Sequence, residues 1–270
     1  MGGAEEDRRL MALRLNRTLL QQTDADSGAL TMLAVVVHRP RQPGDYTGTV
    51  YRGEQAVGEF TLRVTDDAGP LQVHVDLATQ RLRGESGRSG KGRDDDPCCD
   101  DERSSGSGQP TYTLGRDGHA VFHVSTGAGG YAVQLAGARQ RDGAEDARTW
   151  DSRELQEGDL FAVTLLRPGA YRVSNEAVRK DAQIRLAYPE RGKTAYRPPE
   201  ALHIAVTRAG FEPRHVELQP LQGQVYEIGV PSRLKISLTE PEDRPERPDG
   251  PRIPRYTLLR RPPARDATPE

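Results

Sequence analysis

The sequence predicts an all-β fold, with one or two antiparallel β-sandwich domains, a long disordered loop and a proline-rich C-terminal tail. The first observation is that apolar and polar residues alternate with a period of two over many short stretches, as in half-buried strands. The second is that turn-forming residues separate these stretches, while no strongly periodic long helix lies between them. We therefore expect sheets packed face to face, and not a doubly wound α/β fold.

The candidate strands follow one another closely along the chain. At 71–77, for example, Val73 and Val75 alternate with Gln72 and His74. In chain order the candidates are 29–38, 46–52, 56–65, 71–77, 111–114, 119–125, 130–136, 159–166, 170–175, 182–188, 202–206, 216–218, 223–230 and 234–238. The segment 6–22 fits a helical stripe as well as a strand, and we favour a strand that joins the first sheet.

Two segments have the composition of disordered chain. Residues 84–110 are mostly Gly, Ser, Asp and Arg, so they cannot bury enough apolar surface to offset an ordering entropy of about 1–2 kcal/mol per residue. The tail 241–270 is rich in proline, which suits an extended polyproline conformation. We place a domain boundary near residue 150, between a β-rich domain at 8–140, which carries the insertion, and a β-sandwich at 150–240.

Composition excludes some classes of function. Charged residues make up 29% of the chain, yet the formal net charge is only -2, so the chain lacks the positive field that non-specific nucleic-acid binding requires. No stretch approaches the roughly 20 apolar residues of a transmembrane helix, and the N-terminus lacks the apolar core of a signal peptide. We expect a cytoplasmic protein that binds neither nucleic acid nor membrane.

The adjacent residues Cys98 and Cys99 lie between two acidic clusters and invite a metal or redox interpretation. Neighbouring cysteines are poorly placed for a disulfide. A zinc site needs wider spacing and a second pair of ligands, and the flanking aspartates disfavour the reactive thiolate. We favour a solvated loop, and keep a metal- or thiol-dependent protein as the alternative.

The histidines offer one further weak metal candidate, a cross-strand pair of His74 and His123, because neighbouring strands lie about 5 Å apart. The others, including His38, read as surface or boundary residues. The glycine-rich stretches at 87–93 and 126–131 do not fit phosphate-loop templates, and no known catalytic motif occurs. We predict no cofactor and no enzymatic activity.

The segments GDLFAVTLLRPGAYRVSN and LHIAVTRAGFEPRHVELQPLQGQVYEIGV, which together span about 158–230, resemble the closing and opening strands of cupredoxin-like sandwiches. Similar patterns occur in immunoglobulin-like sandwiches. The resemblance implies a β-sandwich. It also implies that no blue-copper centre is present, because Ser174 and Asn175 stand where the copper-binding cysteine would be.

These observations favour a non-catalytic β-sandwich protein with a binding or structural role, acting through contacts with a protein partner. Two alternatives stay open. One is the metal- or thiol-dependent protein that uses Cys98 and Cys99. The other is a carbohydrate-binding module built on Trp150 and the tyrosines, since such modules present exposed aromatic side chains.

Overall fold

The chain consists of strands and turns, with no helix, throughout the part that the computed structural model describes: residues 22–82, 109–137, 149–187, 197–219 and 221–242. Its strands are β1 (Asp24–Asp26), β2 (Ala34–His38), β3 (Gly44–Arg52), β4 (Gln55–Thr65), β5 (Gln72–Asp76), β6 (Thr111–Gly115), β7 (His119–His123), β8 (Tyr131–Gly137), β9 (Thr149–Asp151), β10 (Leu160–Thr164), β11 (Gly169–Asn175), β12 (Lys180–Leu186), β13 (Leu202–Thr207), β14 (Gly210–Glu212), β15 (His215–Leu218), β16 (Gly223–Ile228) and β17 (Leu234–Pro241).

The described strands form three sheets. A seven-stranded sheet has the order β14-β13-β16-β10-β2-β7-β5, and two five-stranded sheets have the orders β6-β4-β3-β8-β9 and β1-β17-β11-β12-β15. In most strands alternate residues face a common apolar core, which contains Phe60, Phe122, Phe161, Tyr171 and Tyr226. The alternation read from the sequence is therefore the inside–outside alternation of sandwich strands.

The two halves of the chain repeat the same strand arrangement. Strands β2, β3, β4, β5, β6, β7 and β8, which we call the N-terminal repeat, correspond in order to β10, β11, β12, β13, β15, β16 and β17, the C-terminal repeat. In each repeat the third strand pairs in parallel with the fifth, the fourth in parallel with the sixth, and the second antiparallel with the seventh. The repeats meet where β2 pairs antiparallel with β10, and Val36 lies opposite Phe161. An approximate two-fold axis therefore passes through this pair.

Each repeat also donates a short strand to the sheet of the other. β1, which precedes the N-terminal repeat, pairs with β17, whereas β9, which precedes the C-terminal repeat, pairs with β8. A buried serine follows each exchanged pair of strands: Ser27 bonds the backbone of Leu234 at 2.9 and 3.1 Å, and Ser152 bonds that of Val133 at 2.9 and 3.0 Å. These reciprocal bonds tie the two repeats together.

A tyrosine fixes the same corner in each repeat. The Tyr46 hydroxyl donates to the Gln42 carbonyl at 2.7 Å, and the Tyr171 hydroxyl donates to the Arg167 carbonyl at 2.5 Å. Burial raises the pKa of Tyr171 to about 12, so its hydroxyl remains protonated and able to donate. Such tyrosine corners occur in immunoglobulin-like sandwiches.

The predicted all-β fold class is confirmed, with two refinements. Four of the strand pairs in the described chain are parallel, because the connections cross to the facing sheet before they return. Strands β1, β9 and β14 were not predicted, because three residues are too short to show a periodicity. The predictions for 6–21, most of 84–110 and nearly all of the tail lie outside the described residues, and the boundary near residue 150 stays a prediction.

Candidate functional site

A tight turn before β10 places a carboxylate in the interior of the protein. The amide of Asp159 donates to the Gln156 carbonyl at 3.0 Å, and Gly158, between them, has a φ of 93°. A type II turn requires such a positive φ at its third residue, which explains the glycine. The Asp159 carboxylate folds back to accept the Gln156 amide at 2.7 Å. The turn therefore holds this carboxylate rigidly, at only 2% exposure.

Two further side chains donate to this carboxylate. His38, the last residue of β2, places Nδ1 at 2.7 Å from Oδ1, and the Trp150 indole nitrogen lies 2.7 Å from Oδ2. Because an ionised carboxylate only accepts hydrogen bonds, Nδ1 of His38 carries the proton. This arrangement fixes the orientation of the imidazole and leaves Nε2 as its second polar atom.

Aromatic stacking supports the same histidine. The rings of His38 and Trp150 stack with centroids 4.2 Å apart at an angle of 21°, and Trp150 stacks in turn on Phe122 at 5.4 Å. His38 is 8% exposed and Trp150 is 4% exposed. We call His38, Trp150 and Asp159 the polar cluster. Its members come from β2, β9 and the turn before β10, so the strand exchange between the repeats assembles it.

An open cavity of about 500 Å³ lies over the polar cluster. Its lining combines the end of β2, the turn between β6 and β7, and the turn before β10, and it consists of His38, Arg39, Pro40, Arg41, Arg116, Asp117, His119, Gln156, Glu157, Gly158 and Asp159. We call this cavity the His38 pocket. Charged groups and imidazoles thus dominate its lining.

The arginines of the pocket differ in how they are bound. Arg39 forms an ion pair with Asp117. Arg41 donates to the backbone carbonyl of Glu157 at 2.9 Å, but among the described residues it has no carboxylate partner. Arg116 is exposed and makes neither an ion pair nor a side-chain hydrogen bond within that part of the chain. Among the described residues, two guanidinium groups of the lining therefore have no carboxylate partner. Of its two exposed carboxylates, Asp117 pairs with Arg39 and Glu157 forms no ion pair within that part of the chain.

The two-fold-related end of the molecule shows what the fold itself requires at these positions. The two-fold axis relates Val36 to Phe161. His38, two residues after Val36, therefore corresponds to Val163, and Asp159, two residues before Phe161, corresponds to Ala34. Trp150 corresponds to Ala25, since each directly precedes the Asp-Ser of its exchanged segment. All three counterparts are small apolar residues and are buried. The sandwich therefore forms without a polar cluster, and the cluster is a special feature of one end of the molecule.

The outer face of the seven-stranded sheet brings together His74 and His123, the cross-strand pair that the sequence offers as a weak metal candidate. Their ring centroids lie 6.0 Å apart, and the Gln72 amide nitrogen lies 3.0 Å from Nε2 of His74. Within the described chain, however, no group of three or more His, Cys, Asp or Glu side chains converges in a way that could hold a metal ion. Cys98 and Cys99, the other metal candidates, lie outside the described residues.

The structure corrects one expectation about a single residue. His38 is buried and bonded to Asp159, so its assignment as a surface or boundary residue is wrong. The sequence does not show this contact, because the two residues lie 121 positions apart in the chain. Trp150 is also buried, as are Tyr46 and Tyr171, and these three rings do not form an exposed aromatic platform.

No protein-family model, curated protein or solved structure matches the chain. The residues that the structure describes include no helix long and apolar enough to cross a membrane. The sheets described above show an all-β protein of sandwich type.

Proposed function

We propose that this chain is a non-catalytic β-sandwich binding protein, and that the His38 pocket receives an acidic side chain of a protein partner. One observation carries the proposal: the three residues of the polar cluster occupy positions whose two-fold-related counterparts, Val163, Ala34 and Ala25, are apolar. A feature that the fold does not require, and that costs free energy to bury, is best explained by the binding of a ligand.

The charges of the pocket favour an acidic ligand. Arg41 and Arg116 offer guanidinium groups, which bind carboxylates through paired hydrogen bonds. His38 adds an imidazole to the lining, and its Nε2 is the ring nitrogen that Asp159 does not engage. Asp159 orients this ring, and its own charge is balanced by three hydrogen-bond donors.

The same lining argues for binding and against nucleophilic catalysis. A histidine oriented by a buried carboxylate is also the arrangement that activates a serine or cysteine nucleophile. The residues that line the His38 pocket include no Ser, Thr, Cys, Tyr or Lys. The oriented imidazole therefore has no nucleophile of its own chain to activate among them, and a role in ligand recognition fits the lining better.

We also propose that residues 158–230 form a cupredoxin-like or immunoglobulin-like unit, as their sequence resemblance implies. The tyrosine corner at Tyr171 supports this assignment. A binding role without copper is compatible with it, since β11 ends on Ser174 and Asn175 and contains no cysteine.

Binding of a fluorescein-labelled peptide of alternating aspartate and glutamate tests the proposal by fluorescence anisotropy. We expect the wild-type chain to bind this peptide and to ignore its Asn/Gln analogue. Arg116→Gln should weaken binding about 10-fold, the equivalent of one charge-assisted contact of about 1.4 kcal/mol. Arg208→Gln, which removes an exposed arginine from the turn between β13 and β14, is the matched control.

The control should leave the affinity within about two-fold of the wild type, because Arg208 lies outside the pocket lining. Equal losses in Arg116→Gln and Arg208→Gln would show that only the overall charge matters. Such a result would contradict a specific site, and so would equal binding of the neutral analogue.

A further inference from the structure

The outer face of β5 and β7 carries two histidines whose counterparts in the C-terminal repeat are a histidine and a glutamate. Val75 pairs with Phe122, and Ile204 pairs with Tyr226 at the matching place. His74 therefore corresponds to His203, and His123 corresponds to Glu227. In the C-terminal repeat these two side chains bond directly, with Nδ1 of His203 2.7 Å from Oε1 of Glu227. The backbone thus holds this pair of positions at a distance where side-chain tips can meet.

The two histidines of the N-terminal repeat do not form such a bond between an imidazole and a carboxylate. Their rings lie 6.0 Å apart, with an angle of 44° between them, and they form no hydrogen bond with each other. Nδ1 of His123 is buried and has no hydrogen-bond partner, one of three such side-chain atoms in the described chain. A buried polar atom without a partner destabilises the folded chain, so a group that binds this nitrogen would relieve the cost.

The spacing suits a metal ion. Zinc binds imidazole nitrogens at about 2.0–2.1 Å, so two rings that share one tetrahedral ion have centroids about 5 Å apart. The observed rings need to approach by about 1 Å, which a rotation of the exposed His74 side chain supplies. An amide nitrogen only donates, so Nε2 of His74 accepts from Gln72 and is the unprotonated nitrogen of the ring. A metal ion would replace this hydrogen bond at the one lone pair of Nε2.

A fixed negative charge lies beside the pair. Asp76 pairs with His123 in the strand register, and its carboxylate accepts bonds from the Ser125 hydroxyl and from the amides of Ser125 and Ala78. This carboxylate attracts a cation without serving as a ligand, because its oxygens already accept these hydrogen bonds.

We infer that His74 and His123 form a two-histidine site for a divalent transition-metal ion of the zinc and copper class, with water at the remaining coordination positions. Imidazole nitrogen is a ligand that these ions prefer, and Cu²⁺ binds more tightly than Zn²⁺ to such ligands. The site lies on the outer face of β5 and β7 and is independent of the acidic ligand proposed for the His38 pocket.

A Zn²⁺ titration followed by histidine-ring NMR tests this inference, because it reads each of the six histidines separately. The chain should carry Cys98→Ser and Cys99→Ser so that the thiols do not compete for the ion. We expect the ring signals of His74 and His123 to shift together and to saturate at one equivalent of Zn²⁺. The ring of His215, an exposed histidine on β15, should not respond in the same range.

Two substitutions make the test decisive. His74→Ala should move the response of His123 to Zn²⁺ concentrations at least about 10-fold higher, since one of two ligands is lost, whereas His215→Ala should leave it unchanged. His123→Asn should shift the response of His74 in the same way, and if this variant does not fold, the wild-type titration and His74→Ala decide alone. The inference is overturned if His74 and His123 respond no earlier than His203 and His215, or if His74→Ala has no effect on His123.

Discussion

Replacing Asp159 with alanine should lower the free energy of unfolding by about 3–5 kcal/mol, the cost typical of breaking a buried charged pair. The reason is that the carboxylate is the acceptor for His38, Trp150 and the Gln156 amide, and that the first two donors are buried with it. Urea denaturation followed by circular dichroism measures the change. Asp117→Ala is the matched control, because it removes an aspartate from an exposed ion pair, and it should cost no more than about 1 kcal/mol.

The double variant His38→Val/Asp159→Ala shows whether the loss of stability comes from leaving one polar partner unpaired or from the loss of polar residues at these positions. It places valine and alanine where the C-terminal repeat has Val163 and the N-terminal repeat has Ala34. We expect its loss of stability to be smaller than the sum of the two single losses by about 2 kcal/mol, because neither charge nor imidazole is left without its partner. Additive losses, or a loss in Asp159→Ala no larger than in Asp117→Ala, would contradict the description of the cluster.

Replacing Gly48 with valine should destabilise the protein by about 1–3 kcal/mol or more, as overpacking of a core does. A Cβ atom at Gly48 would overlap the ring of Phe60, which lies directly opposite in the pair of β3 and β4. The corresponding pair of the C-terminal repeat is Val173 opposite Ala182. The two repeats therefore fill the same space in opposite ways, with the bulk on one strand or on the other.

Phe60→Ala alone should cost about 3–5 kcal/mol, because it opens a cavity in a core where this ring is fully buried. The combination Gly48→Val/Phe60→Ala copies the other repeat, and it should be more stable than Phe60→Ala by at least about 1 kcal/mol. Chemical denaturation of the three variants provides the comparison. If the combination is less stable than both single variants, the correspondence between the repeats does not extend to their packing.

The sequence predicted most of the strands because a half-buried strand requires apolar and polar residues to alternate along the chain. Strands β5 and β13 illustrate this, since their apolar residues point inward and their polar residues outward. The internal repeat has a signal of its own that is visible in the chain. Asp26-Ser27 and Leu30 match Asp151-Ser152 and Leu155, and Pro-Gly precedes the tyrosine corner twice. These matches are too short to stand out without the pairing of the strands.

The candidate site could not be predicted from the sequence, for a different reason. The polar cluster depends on strand exchange, which brings Trp150 of β9 beside His38 of the N-terminal repeat. Neither the periodicity nor the spacing of single residues encodes such an exchange, and Asp159 is one of 40 acidic residues in the chain. The pair of His74 and His123 could be predicted, because it requires only that two candidate strands be neighbours.

The central claim is that the His38 pocket is a binding site which the two-fold-related end of the molecule lacks. Backbone NMR of the full chain during titration with the acidic peptide tests it most directly, since it maps contacts onto both ends of the molecule. We predict shifts at residues 38–41, 116–117, 119 and 156–159, which line the pocket, and none at Val163, Thr164 and Leu166, the counterparts of His38, Arg39 and Arg41. Shifts of equal size at both ends, or none in the pocket at saturating peptide, would contradict the claim.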